Sequence, residues 1–380
     1  MSSALRFEAP PRLDPDPAER TLEAIVEAAS PADQSGLLRD LKRWLKDERA
    51  RLREAFERDA DPGQVIYGQA RLIDRLIQGL LDFASRRLYP LANPTLGERL
   101  AVVAVGGYGR GELAPQSDVD LLFLHPYKRT PHGEKMIEFL LYKLWDLGLK
   151  VGQATRSVDD CVRLAKTDVA ICTTFLEARL IWGERALFDE FERRFFADVV
   201  HQGGTGFVEA KLAERDARHQ RTGDSRYLLE PNVKEGKGGL RDLHTLFWLG
   251  RFLYRIDRPA DLIDHGVLTL STLRTFLHAR AFLWAVRCHL HYLTGRPEER
   301  LTFDLQPEVA RRLGFRDRKG SRAVERFMKR YYLVAKEVGS LTRIFCAALE
   351  ERHRRPRLSL ARLGLGRRRV DGMVIQGGRI

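Results

Sequence analysis

The chain has 380 residues, 44% of them hydrophobic, which is enough for two or three domains with real cores. No run of about twenty apolar residues occurs, which argues against a membrane-spanning helix, and the net charge of +13 suits an anionic partner without choosing between nucleic acid and a nucleoside triphosphate. Four cysteines (Cys161, Cys172, Cys288, Cys346) lie far apart with no Cys-x-x-Cys pair, and the first residues lack a basic-then-apolar secretion signal, so a reduced, cytoplasmic protein is expected.

Residues 1–20 hold four prolines and read as a disordered leader. Helical periodicity then marks Thr21–Ala29, Leu37–Asp59 and Val65–Leu88, until Pro90 and Pro94 break the pattern, giving a helical region over 21–95. An α/β region follows over 96–202. Leu100–Val105 and Val119–Leu124 are expected strands, joined by a short helix or turn through Gly109–Leu113. Lys135–Leu147 is a helix stopped by Gly148, and Lys150–Val158 is the third strand. Helices are expected at Asp159–Leu164, Asp168–Leu180 and Glu184–Ala197. After the glycine-rich break at Gly203, Gly204 and Gly206, residues 203–350 read as helical: Phe207–Thr222, Gly239–Tyr254, Leu270–Leu293, Pro307–Leu313 and Ser321–Glu350. Residues 351–380 form an arginine-rich tail with little periodicity. Trp145, Trp182, Trp248 and Trp284 fall on apolar helical faces and are expected in the core.

Two stretches carry chemistry. In the first, Val105–Leu121, an apolar strand runs into Gly106-Gly107, and ten residues later come Asp118 and Asp120 at the start of a second strand. Side chains alternate along a strand, so carboxylates at i and i+2 share a face. Side by side they repel unless a cation joins them, and paired acids of this kind hold Mg²⁺ in phosphoryl-transfer sites. Gly106 and Gly107 let a triphosphate approach the backbone. Arg110 can stabilise that triphosphate, and Ser117 can bond a phosphate or cap the turn. The second stretch, Tyr227–His244, sets Lys234, Glu235, Arg241 and Asp242 around Gly236, Gly238 and Gly239 before a helix, a context for an anion; Lys234 and Arg241 are the expected phosphate contacts.

The first stretch resembles the catalytic signature of the polymerase-β-like nucleotidyltransferases, and Gly-Gly-Tyr-Gly-Arg-Gly-Glu-Leu with Ser-Asp-Val-Asp-Leu-Leu resembles, more narrowly, the bacterial PII-protein uridylyltransferases. Glu230-Pro231-Asn232-x-Lys234-Glu235-Gly236-x-Gly238-Gly239-Leu240-Arg241-Asp242 is similar to the same family's second hallmark, as are Phe282–His291 and Arg300–Gln306 to its helical region. A related Gly-Gly-(Leu/Ile)-Arg segment occurs in the glutamine synthetase adenylyltransferases. The resemblance implies an α+β fold: a polymerase-β-like domain with N-terminal helices and a C-terminal helical domain. It also implies transfer of UMP from UTP to a tyrosine of the PII signalling protein, with Asp118 and Asp120 as catalytic metal ligands for Mg²⁺. Membrane and nucleic acid are not expected partners. The alternatives are a protein adenylyltransferase and a non-catalytic nucleotide-sensing module.

The sequence departs from the family twice. Family members continue into a His-Asp hydrolase domain that removes UMP and into glutamine-sensing domains, whereas no His-Asp dipeptide occurs here. The expectation is a chain that attaches UMP without removing it and does not respond to glutamine. The third strand also lacks the third carboxylate usual in the superfamily, for which Asp159, Glu177 and Asp242 are substitutes. Arg156, on that strand, is expected to line the same pocket. His289 and His291, at i and i+2 on a helix, face different ways and read as packing residues rather than co-ligands.

Overall fold

The computed structural model of the chain describes residues 17–353, 369–370 and 373–374. Three helices lead: α1 (Pro17–Ala28), α2 (Gln34–Asp59) and α3 (Pro62–Phe83). The first begins inside the expected leader, because proline is well tolerated at the first helical position; the rest of that leader lies outside the described residues. Asp33 and Asp61 cap α2 and α3, accepting from the N–H groups of Gly36 and Gly63 at 2.8 and 2.9 Å.

The α/β region runs β1 (Ala101–Ala104), a single turn α4 (Gly106–Gly109), β2 (Val119–His125), α5 (Pro131–Asp146), β3 (Val151–Ser157), α6 (Val158–Thr167), α7 (Val169–Leu176), β4 (Arg179–Gly183) and α8 (Arg185–Phe195). The turn after β1 thus starts at the glycine pair itself, earlier than expected. The strands form one sheet in the order β3-β2-β1-β4, with β1 antiparallel to both neighbours and β2 parallel to β3.

The fourth strand replaces the end of the helix expected over Asp168–Leu180. That helix stops at Leu176, and Arg179–Gly183 pairs with the otherwise open edge of β1. Gly183 ends the strand at φ +98°, where a Cβ would strike the Leu100 carbonyl. Trp182 therefore stands on a strand, its indole N–H donating to Asp82 at 2.7 Å. Trp145 is not core either: it is 48% exposed on α5. Trp248 and Trp284 are buried as expected.

Strand alternation splits the core in two. Val102, Ala104, Val119, Leu121 and Phe123 face the cluster built with α1–α3 and α5. Ala101, Val103, Leu122 and Leu124 face the other, which continues through α6–α8 into the helices beyond residue 203. Those helices are α9 (Gly206–Arg221), α10 (Leu240–Tyr254), α11 (Leu270–Thr294), α12 (Gln306–Arg312) and α13 (Ala323–His353). Asp120 has the parity of Leu122 and Leu124. The register of β2 thus aims it at the helical half of the molecule. Of the expected tail, Glu351–His353 complete α13, and β5 (Arg369–Val370) pairs with β6 (Met373–Val374); its other residues lie outside those described.

Candidate active site

Asp118 is exposed one residue before β2, and Asp120 is half-buried on it. The strand start is fixed on both sides: the Val119 N–H donates to the Lys150 carbonyl at 2.8 Å, and the Val105 N–H donates to the Asp120 carbonyl at 3.1 Å. The latter bond ties Asp120 to the residue before the glycine pair. Gly106 sits at φ +61°, a left-handed conformation that favours glycine, and its place for a Cβ lies 3.3 Å from Asp120 Oδ2. Gly152, opposite Asp120 on β3, leaves space for that carboxylate, because a Cβ there would overlap Asp120 Oδ1 and oblige it to move. Burial raises the Asp120 carboxyl above its usual range, and the neighbouring Asp118 charge raises it further while Lys234 opposes the shift.

Gly106, Gly107, Asp118 and Asp120 line a cavity of about 440 Å³ together with Arg110, Ser117, Lys234, Arg241 and Arg287. The opposite wall comes from the second motif. Asn232 Oδ1 accepts from the N–H groups of Lys234 (3.0 Å) and Glu235 (2.7 Å), and the Val233 N–H donates to the Glu299 carbonyl at 2.8 Å, which fixes the loop before α10. Gly238, at φ +86°, passes against the Ala335 backbone of α13. Lys234 Nζ stands 3.9 Å from Glu299, and burial, then Arg287, lowers its pKa. Arg241 is bidentate to Glu235 and lies over the Trp248 ring at 5.4 Å.

Two carboxylates without a third protein ligand are hard oxygen donors, and the like-charge repulsion at Asp120 is what a bound cation relieves. Magnesium, which uses one or two carboxylates plus substrate phosphates, fits this pair. Among the described residues, no group of three or more His, Cys, Asp or Glu could hold a metal by itself.

Residues 92–179 match the nucleotidyltransferase domain family, and residues 206–346 match the GlnD PII-uridylyltransferase family. This chain is a relative of the PII uridylyltransferases. It is 55% identical over 346 residues to the bifunctional uridylyltransferase/uridylyl-removing enzyme of Rhodospirillum rubrum, covering 90% of the chain and 37% of that protein. Enzymes of the same name from Azospirillum brasilense (52% over 364 residues, 94% of the chain, 39% of that protein) and Erythrobacter litoralis (48% over 363 residues, 94% and 40%) are similar to it. The chain thus spans 37–40% of the length of these curated relatives.

Other residues of the site lie where the sequence did not place them. Arg110 reaches the cavity wall, but its Nε donates to Glu112 at 2.9 Å and its Nη1 to Glu177. Glu112 also receives Arg280, with His244 3.4 Å away; burial opposes ionisation there, but Arg280 and Arg110 outweigh it and hold the carboxyl well below its usual range. Ser117 Oγ accepts from Arg287 at 3.3 Å, and Arg287 itself is bidentate to Glu299. Of the three substitute carboxylates, only Glu177 lines the cavity; it is buried, and it accepts from Arg110 and the Trp248 indole. Asp159 is exposed beside Arg194, and Asp242 is buried against Arg218, His219 and the Gly238 N–H. Arg156 lines a neighbouring cleft instead of the main cavity. His289 and His291 are both buried, and the Gln116 N–H donates to His291 Nδ1 at 3.2 Å, in keeping with packing roles. Sequence reading missed Arg287, Glu299, Gly152 and the Glu112 cluster as site residues. Arg287, Glu299 and Glu112 sat inside or beside resembling motifs, a signal that went unused; Gly152 carried none.

Proposed function

We propose that the chain transfers UMP from UTP to a tyrosine hydroxyl of a PII signalling protein. The observation that carries the reading is the meeting of Asp118, Asp120 and the Gly106-Gly107 turn with Lys234, Arg241 and Arg287 in one cavity, although more than a hundred residues separate the two motifs. The names of the relatives support uridylyl transfer and a PII acceptor. In this reading the aryl oxygen–phosphorus bond forms as the α–β phosphoanhydride breaks, pyrophosphate leaves, and the phenolic proton passes to water. Asp118 and Asp120 hold Mg²⁺, which, when bound, makes the hydroxyl more acidic and neutralises charge on the phosphates. Gly106 and Gly107 present backbone to the phosphates, with Lys234 and Arg241 facing them. Ser117 and Arg287 fix the loop beneath, and Arg110 holds the turn through its two carboxylates. The four cysteines are free and, among the described residues, no helix is long and apolar enough to cross a membrane; both fit a cytoplasmic site of action.

Incubating the chain with purified PII, Mg²⁺ and each α-labelled nucleoside triphosphate tests the reading. Label should pass to PII from UTP. Transfer from ATP alone would make the chain an adenylyltransferase, and tight nucleotide binding with no transfer to any protein would make it a sensing module.

A further inference from the structure

We propose that the acceptor enters from the β3 side of Asp120, as an extended protein segment that lies along the open edge of the sheet and sends an aromatic hydroxyl into a second cleft. The inference rests on the nucleotidyl-transfer reading and adds to it the place of the acceptor.

A cavity of about 320 Å³ adjoins the main one and shares Gly106, Asp120 and Thr174 with it. Its other walls differ in chemistry. Leu122 and Ala154 come from the sheet, Ile171 and Phe175 from α7, and the Arg156 guanidinium lies over the Phe175 ring at 6.0 Å. The main cavity holds the charged wall suited to phosphates. Phosphoryl transfer needs the attacking and leaving oxygens roughly in line on opposite sides of phosphorus. With a triphosphate in the charged cavity and its reacting phosphorus at Asp120, the attack must come from the far side of that carboxylate, where the second cleft opens. Apolar walls and an arginine over a phenylalanine suit an aromatic ring, through edge or offset packing and cation–π attraction.

The sheet edge supplies the docking line. β3 is the edge strand beside β2. Lys150 turns its carbonyl toward β2, so Gly152, Ala154 and Arg156 do the same by alternation, and Gln153 and Thr155 turn their backbone groups outward. The Thr155 carbonyl accordingly accepts from the Arg129 side chain at 3.4 Å. Gly152 and Gln153 are exposed, leaving the stretch level with Asp120 open to an added strand.

Two variants of the whole chain test this: Ala154→Phe, which fills the cleft, and Gln153→Pro, which removes an outward N–H at an edge position that tolerates proline. Calorimetry with a non-hydrolysable UTP analogue and Mg²⁺ reads the nucleotide site and checks folding. Label transfer at varied PII concentration reads the acceptor. The expected result is a KM for PII raised about tenfold or more in each variant, with analogue affinity unchanged. An unchanged KM in both variants overturns the proposal. Analogue affinity lost in parallel from thermally stable variants overturns it too, because the cleft would then hold nucleotide. A wild-type chain that binds the analogue and modifies no PII overturns the uridylyltransferase reading itself.

Discussion

At the scale of single residues, the site depends on two carboxylates held close enough to repel. Replacing either by its neutral amide, Asp118→Asn or Asp120→Asn, removes a metal ligand without changing volume. Transfer should fall on the order of 10²-fold or more, while the thermal transition of Asp120→Asn holds or rises because repulsion inside the folded state is relieved. Near wild-type turnover at saturating Mg²⁺ would remove these residues from the chemistry. Gly152 provides a second test. A methyl group there would meet the Asp120 carboxylate, so Gly152→Ala should displace it and cost on the order of 10²-fold in transfer, at little cost in stability. Urea unfolding beside the activity assay separates these effects; an active Gly152→Ala protein would mean that the placement of Asp120 is not critical.

At the scale of elements, the parts legible in the sequence are those whose physics is local. The strand–Gly-Gly–Asp-x-Asp unit was readable because alternation alone puts Asp118 and Asp120 on one face. Strand β4 was not, because Leu180–Trp182 is a short apolar run continuous with the helical pattern of α7, and only pairing with β1 decides between helix and strand. The role of Arg110 was equally hidden: its partner Glu177 is 67 residues away, and Glu112 meets Arg280 across 168. That network ties the turn after β1 to the end of α7 and to α11. Arg110→Met should therefore destabilise the fold by about 3–5 kcal/mol, because it leaves buried carboxylates short of a partner. The measurement is the urea midpoint, and a loss below about 1 kcal/mol, as for a surface pair, would contradict the assignment.

At the scale of the whole molecule, the cavity belongs to neither half alone. One wall comes from the sheet and the other from residues beyond 203, and a single apolar cluster runs from Val103 to Phe345 across both. Glu299 is one of the polar ties between these parts. It anchors Arg287, which reaches back to Ser117, and it lies 3.6 Å from His291 Nε2 and 3.9 Å from Lys234. Burial would raise its carboxyl, but the nearby His291 ring and the Arg287 guanidinium outweigh that and bring it from 4.5 down to about 2. Since the folded value is the lower one, the unfolded chain takes up the proton first as pH falls. The stabilisation is complete above roughly pH 4.5 and is lost on the way down to about 2. The variant Glu299→Gln has no charge to lose at this position. Urea unfolding near neutral pH should find it less stable than the wild type by about 3 kcal/mol, the cost of stranding a buried arginine. As pH falls, the two curves should converge, with the wild type losing stability faster. A gap that stayed constant from neutral pH into acid would show that packing, and not the Glu299 charge, joins the two halves.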